Sequence, residues 1–205
     1  FSRFSIQPDT MKKLSSLTRK DNPFPTACAL ICEHPCEARC RRNMIDAAIN
    51  IRGLKRMAVD NAPANTVPVP EKAETTGKRI AIIGGGPSGL AAAYYLELMG
   101  HHAVIFEAKS KLGGMLRYGI PSYRFPRERL DQDIEAILST GVEVHLNTKI
   151  GSGEGEVPFN KLREEYDAVY IAIGAHEDKK VGIEGEDSKG VISAVEMLGS
   201  IGEEV

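Results

Sequence analysis

From Lys78 onward the apolar positions alternate between two periods. Ile80-Ala81-Ile82-Ile83 is an unbroken apolar run of strand length, the pattern of a strand buried on both faces. The alanine-rich stretch after it, closed by Gly100, predicts a helix, and Ala103-Val104-Ile105-Phe106 predicts a second strand. Leu130, Ile134, Ile137 and Leu138 share one helical face, so a helix from Pro126 that stops at Gly141 is expected, followed by a strand over Val142–Leu146. Asp167–Gly174 reads as another buried strand ending at a glycine. Strand and helix periods in turn predict an α/β unit. Earlier in the chain, Ile51, Leu54 and Ala58 predict a helix capped by Asp46 that ends near Asn61, with Pro63 just beyond. Pro63, Pro68 and Pro70 deny helix to the next stretch and favour an extended, semi-rigid connection. The expected organisation is a small all-helical domain over 1–60, a proline-rich linker over 61–76 and an α/β domain over 77–205. No internal repeat is present.

The 205 residues are 42% apolar with a formal net charge of -2, which is a globular composition and argues against a general nucleic-acid binder. Charge is unevenly placed: residues 1–60 hold 11 Lys+Arg against 6 Asp+Glu, and the remainder 15 against 22. A basic helical front thus precedes an acidic body. Either these are solvated faces, or the basic segment faces an anionic cofactor or the body itself. No run approaches the length of a membrane helix, and the start, Phe1-Ser2-Arg3-Phe4, has no charged leader followed by an apolar stretch. A cytoplasmic protein without a membrane anchor is expected.

All four cysteines, Cys28, Cys32, Cys36 and Cys40, fall in one C-x3-C-x3-C-x3-C run. Disulfide frameworks belong to small exported folds, and the chain has apolar residues enough for a core. Zinc knuckles usually space their cysteines by two or four. The x3 spacing interrupted by Pro35 suits an iron-sulfur cluster better, with zinc or inert thiols as the alternatives. Arg39, Arg41 and Arg42 would offset the charge of a thiolate-bound cluster, or simply form a solvated basic turn.

The first strand of the α/β unit runs into Gly84-Gly85-Gly86-Pro87-Ser88-Gly89 and then the helix. A strand before and a helix after are the context in which G-x-G-x-x-G binds a dinucleotide. Gly84 permits the tight turn, Gly86 lets the backbone approach a pyrophosphate, and Gly89 lets helix and strand pack closely. The helix start supplies positive partial charge, and Ser88 is a donor to phosphate. Glu107, at the end of the second strand, stands where a ribose 2′-hydroxyl is held, so FAD or NAD(H) is favoured over NADP(H). A second loop, Leu112 to Pro126, is too rich in glycine, proline and arginine for regular structure, and two loops fit a long ligand such as FAD. Gly174 joins the cofactor-binding set.

Together these features resemble the small subunit of NADPH-dependent glutamate synthase and its relatives, including the N-terminal part of dihydropyrimidine dehydrogenase and the flavin subunits of bifurcating transhydrogenases. The resemblance is carried by Asn22-Pro23-Phe24-Pro25, the Cys28–Arg42 run, Ala48–Ile51, the Gly84–Gly89 loop, Glu107 and Gly113–Pro121. It implies a helical 4Fe-4S domain followed by an incomplete Rossmann-like FAD-binding domain, which passes electrons between NAD(P)H, FAD and iron-sulfur clusters. The same resemblance maps flavin contacts onto Ile31, Gly84–Gly89, Glu107, Gly113, Gly114, Met115, Arg124 and Ile150. It puts Cys32 and Cys36 on one cluster and Cys40 on a second. Lys55 stands where some relatives have a Gln or Glu ligand, so either Cys28 completes a four-cysteine cluster or ligands come from outside the chain.

The expected activity is that of a flavin enzyme with no protonic catalytic residue, because the flavin carries the chemistry. His34, His101, His102, His145 and His176 read as surface or hydrogen-bonded structural residues. No second glycine loop for NADPH follows Gly174, so a complete NADPH site is expected only in a longer parent, and this chain alone is expected to be inactive. A large catalytic partner subunit or domain is also expected. The rival readings are a non-catalytic electron-relay or docking module, and a zinc-stabilised NAD-binding protein.

Overall fold

The computed structural model describes residues 8–204. The chain's first residues, on which the leader expectation rests, lie outside them. Four strands form one parallel sheet in the order β3-β2-β1-β6: β1 (Arg79–Ile83), β2 (His102–Phe106), β3 (Glu143–His145) and β6 (Ala168–Ile171). β1 pairs with β2 in the register Ile80↔Ala103 and Ile82↔Ile105, and with β6 on its other side. A separate short pair joins β4 (Ile150–Gly151) and β5 (Val157–Pro158).

Successive side chains of a strand point to opposite faces, and both faces of β1 and β2 are covered. Ile82, Ala103 and Ile105 pack on one side with Leu90, Ala93 and Tyr94 of α5 (Pro87–Leu98) and Leu130, Ile134 and Ile137 of α7 (Arg127–Leu138). Ala81, Val104 and Phe106 pack on the other with Leu162 of α8 (Phe159–Glu165). This double burial is why the strands read as continuous apolar runs.

The front of the chain is helical, as α1 (Pro8–Asp21), α2 (Pro25–Ile31), α3 (Pro35–Ala38) and α4 (Ile51–Asn61). Asn22 sets the entry to α2: its side chain accepts the Phe24 N–H, and Pro25 occupies the first helical turn. Phe24 and Ala27 enter the same apolar cluster as the strands, so the front helices share the body's core. Arg19 of α1 is almost fully buried at this junction, donating to the carbonyls of Ala64, Val67 and Ala136 while the Tyr94 hydroxyl donates to its own carbonyl.

Four details differ from the sequence reading. Asn50, not Asp46, caps α4, its side chain accepting the Gly53 N–H; Asp46 is drawn into an ion pair with Arg42. The proline-rich connection is not uniformly extended, since Ala64–Thr66 form a 3-10 turn and Ala62, Ala64 and Val67 are buried. The glycine-rich second loop contains one helical turn, α6 (Met115–Tyr118). Finally, β6 is not buried: Ile171 is 59% exposed, because β6 is an edge strand that pairs only with β1 among the described residues. The last helix, α9 (Ala194–Glu204), lies against α6, with Gly202 close under Tyr118.

Candidate dinucleotide site

The chain leaves β1 for β2 on one side and returns as β6 on the other. A crevice therefore opens beyond the carboxyl ends of the strands at β1, where open α/β sheets bind their ligands. A cleft of about 560 Å³ occupies this position. Gly84, Gly86, Pro87 and Ser88 line it from the first loop, Glu107 from the end of β2, and Gly114 and Met115 from the second loop; Ile150 and Gly174 complete the predicted residues found there. Gly89 and Gly113 are buried behind the two loops, whereas Ile31 on α2 and Arg124 on the loop before α7 do not line the cleft.

The loop geometry follows from local sterics. Gly84 has φ +107°, and a Cβ there would meet the Ala172 carbonyl oxygen at 2.4 Å. The two loops touch backbone to backbone: a Cβ on Gly114, at φ +51°, would lie 2.7 Å from the Gly86 Cα. A glycine at 114 allows that approach, whereas a Cβ on Gly86 would meet the Gly114 Cα at an ordinary 3.6 Å. No side chain caps α5, whose N-cap is Gly86, so the first N–H groups of the helix are left for a ligand or solvent. Ser88 Oγ lies 3.0 Å from the Tyr170 hydroxyl at the same mouth.

Glu107 is buried, and its carboxylate ties the loop to the strand end. Oε2 accepts the Gly85 N–H at 2.6 Å and Oε1 accepts the Lys109 N–H at 2.8 Å. Each oxygen keeps a second lone pair for a hydroxyl donor. A site walled by glycine backbone, with a free helix start and a fixed carboxylate, suits the pyrophosphate and ribose of a dinucleotide.

Sequence reading missed Phe106, Lys109, Tyr118, Thr148 and His176, all of which line the cleft. Lys109 was reachable from its place just after a strand end, but Thr148 reaches the cleft only through tertiary packing. The His176 ring bonds to the Ile173 carbonyl. His101 bonds to Thr76, and His34 approaches Glu37. His102 and His145 flank Glu143; His102 above all holds that carboxyl below its ordinary value.

The four cysteines are all free thiols. Cys36 is exposed and the other three are half-buried. Cys32 Sγ accepts the His34 N–H at 3.3 Å, where His34 adopts left-handed backbone. Backbone N–H groups of Ile49 and Arg42 draw the Cys40 thiol below its ordinary value. These are thiolate-favouring surroundings of the right donor chemistry. The four thiols supply the donors a 4Fe-4S cluster takes, although among the described residues no three His, Cys, Asp or Glu side chains are already gathered around one point.

Against known proteins, residues 61–202 match the family described as pyridine nucleotide-disulphide oxidoreductase. The chain belongs to that family. Within this oxidoreductase family member, residues 4–67 also match the dihydropyrimidine dehydrogenase domain II, 4Fe-4S cluster, family. The chain is 43% identical over 178 residues to the NADPH-Fe(3+) oxidoreductase subunit beta of Geobacter sulfurreducens, covering 83% of this chain and 25% of that one. It is 42% identical over 192 residues to the NADP(+)-dependent formate dehydrogenase subunit beta of Moorella thermoacetica, covering 82% and 27%. It is 35% identical over 182 residues to the glutamate synthase [NADPH] small chain of Bacillus subtilis, covering 87% and 36%. The chain thus spans roughly a quarter to a third of these relatives. Among solved structures, Mycobacterium tuberculosis FprA in complex with NADPH superposes with TM-score 0.52 and 28% identity, over 60% of this chain and 28% of that one. The expected flavin and iron-sulfur oxidoreductase class is the family found. Among the described residues no helix is long and apolar enough to cross a membrane.

Proposed function

We propose that this chain is the FAD-holding portion of a flavin- and iron-sulfur-dependent NAD(P)H oxidoreductase of the glutamate synthase small-subunit type. The observation that carries the reading is the backbone contact of Gly86 with Gly114 beside the fixed Glu107 carboxylate. FAD, when bound, supplies the hydride and single-electron chemistry. The chain's own residues bind and orient it. The start of α5 and the Gly84–Gly89 backbone would receive the pyrophosphate, with Ser88 as a further donor. Glu107 would accept the ribose hydroxyls on its remaining lone pairs, and its charge would disfavour a 2′-phosphate at this position. Met115, Tyr118 and Ile150 wall the cleft against water.

The Cys28–Cys40 segment is read as the iron-sulfur part, supported by the family match and by the amides around Cys32 and Cys40. NADPH is expected to be handled elsewhere in a longer parent, which works with a large catalytic partner subunit or domain. The compartment that keeps such thiols reduced is the cytoplasm.

The test is an anaerobic absorbance spectrum of the chain incubated with FAD, with iron, sulfide and zinc analysis alongside. Flavin bands that persist through gel filtration support the site, and added sulfide-linked iron supports the cysteine assignment. Loss of all flavin on filtration at micromolar protein, from a chain whose sheet is folded, would overturn the FAD reading. Zinc without iron or sulfide would overturn the cluster.

A further inference from the structure

Asp133 lies on α7, inside the nucleotide-binding body, and is fully buried. Its carboxylate serves a distant element. Oδ2 accepts the N–H groups of Thr26 at 3.0 Å and Ala27 at 3.2 Å, while the Thr26 hydroxyl donates to Oδ1 at 2.6 Å. These donors are the opening groups of α2, the helix that carries Cys28 and leads into Cys32. α2 has no cap of its own, because its N-cap is Phe24 and its first residue is Pro25. A residue 107 positions away therefore supplies the cap.

The neighbouring charges on α7 turn elsewhere: Asp131 to Arg117, Arg129 to Asp60, and Glu135 to Asn65. The charged group facing Asp133 from another element is Arg19 of α1, whose hydrogen bonds go to carbonyl oxygens rather than to the carboxylate. Burying a carboxylate is costly unless it is well bonded, and here its bonds are to the cysteine-bearing helix.

We propose that Asp133 is a positioning residue: it is the joint through which the flavin-binding body sets the placement of the cysteine-bearing helix α2. Its consequence for electron passage rests on the function proposed above; the joint itself does not. The joint needs an acceptor for two amides. Asparagine keeps it, with its oxygen at the Oδ2 position and its NH2 group donating to a rotated Thr26 hydroxyl. Alanine removes it.

The experiment uses the full chain without cofactors, as wild type, Asp133→Asn and Asp133→Ala. It reads hydrogen exchange of the segment 24–32, with sheet peptides as an internal control, and the ratio of iodoacetamide labelling at half-buried Cys28 to that at exposed Cys36. In Asp133→Ala, exchange at Thr26 and Ala27 and the labelling ratio should each rise about tenfold, the local opening expected when a helix cap is lost. The sheet should stay protected, and Asp133→Asn should track wild type. Wild-type protection in Asp133→Ala overturns the proposal, as does loosening in Asp133→Asn equal to that in Asp133→Ala. If Asp133→Ala does not fold, Thr26→Val decides: loosening confined to 25–31 supports the joint, and none, or loosening across the sheet, overturns it. A failed flavin titration would leave this outcome untouched.

Discussion

Replacing Glu107 by Gln changes one atom and tests the site's central feature. Both carboxylate oxygens accept backbone N–H groups, Gly85 at 2.6 Å and Lys109 at 2.8 Å. A glutamine has one oxygen, so in either orientation its NH2 group must face an N–H donor. A hydrogen bond to a charged group contributes about 1.5–3 kcal/mol, and an unpaired buried donor costs about 1–3 kcal/mol. A net loss of about 2 kcal/mol in a chain of this size should lower the melting midpoint by roughly 4–8 °C. FAD should suffer as well, since a ribose hydroxyl loses an acceptor and the glycine loop loses its tether; a loss of about 2 kcal/mol corresponds to about 30-fold in affinity. The assay pairs a thermal melt with an FAD titration followed by flavin fluorescence. Glu143→Gln, on β3 outside the cleft, serves as the control and should leave FAD affinity within about twofold, as a surface change does. Unchanged melting and unchanged FAD affinity in Glu107→Gln would refute both the loop tether and the ribose assignment.

Other consequences follow from the same geometry. Gly114→Ala puts a Cβ 2.7 Å from the Gly86 backbone at φ +51°; strain of about 1–3 kcal/mol and parted loops should abolish FAD retention on gel filtration while far-UV circular dichroism stays native. Burial pushes the Asp133 carboxyl from 3.8 up to about 7, so the folded chain keeps a proton that the unfolded chain has lost. This contribution to stability is fully present below about pH 4 and is lost as pH rises through about 7, at up to about 1.4 kcal/mol per unit. Denaturant melts across that range should show wild type losing stability relative to Asp133→Asn, and parallel curves would contradict the burial assignment. Leu130→Ala, in the fully buried core between α7 and the sheet, should cost about 2–5 kcal/mol in urea unfolding.

The strands and helices of the body were legible because each side of the sheet demands apolar side chains and the glycines mark where the chain turns. The turn at Gly84 and the acidic end of β2 could be read from spacing alone, since a tight strand-to-helix turn admits few alternatives. The cap of α4 was misread. Asp46 and Asn50 are both good capping residues, but α4 begins at Ile51, so Asn50 stands at the capping position and Asp46, four residues earlier, pairs with Arg42 instead. The exposure of β6 was equally hidden: an apolar strand reads the same at an edge as in the middle of a sheet.

The sequence alone determined the alternation that makes the α/β unit, the glycine turn that opens α5 and the grouping of four thiols in one segment, because local sterics and periodicity act within a few residues. Tertiary structure alone decided the close contact of Gly86 with Gly114, the burial of Arg19 among carbonyls and the capping of α2 by Asp133. Those arrangements join residues far apart in the chain, and their partners are chosen by packing. No local pattern records that choice.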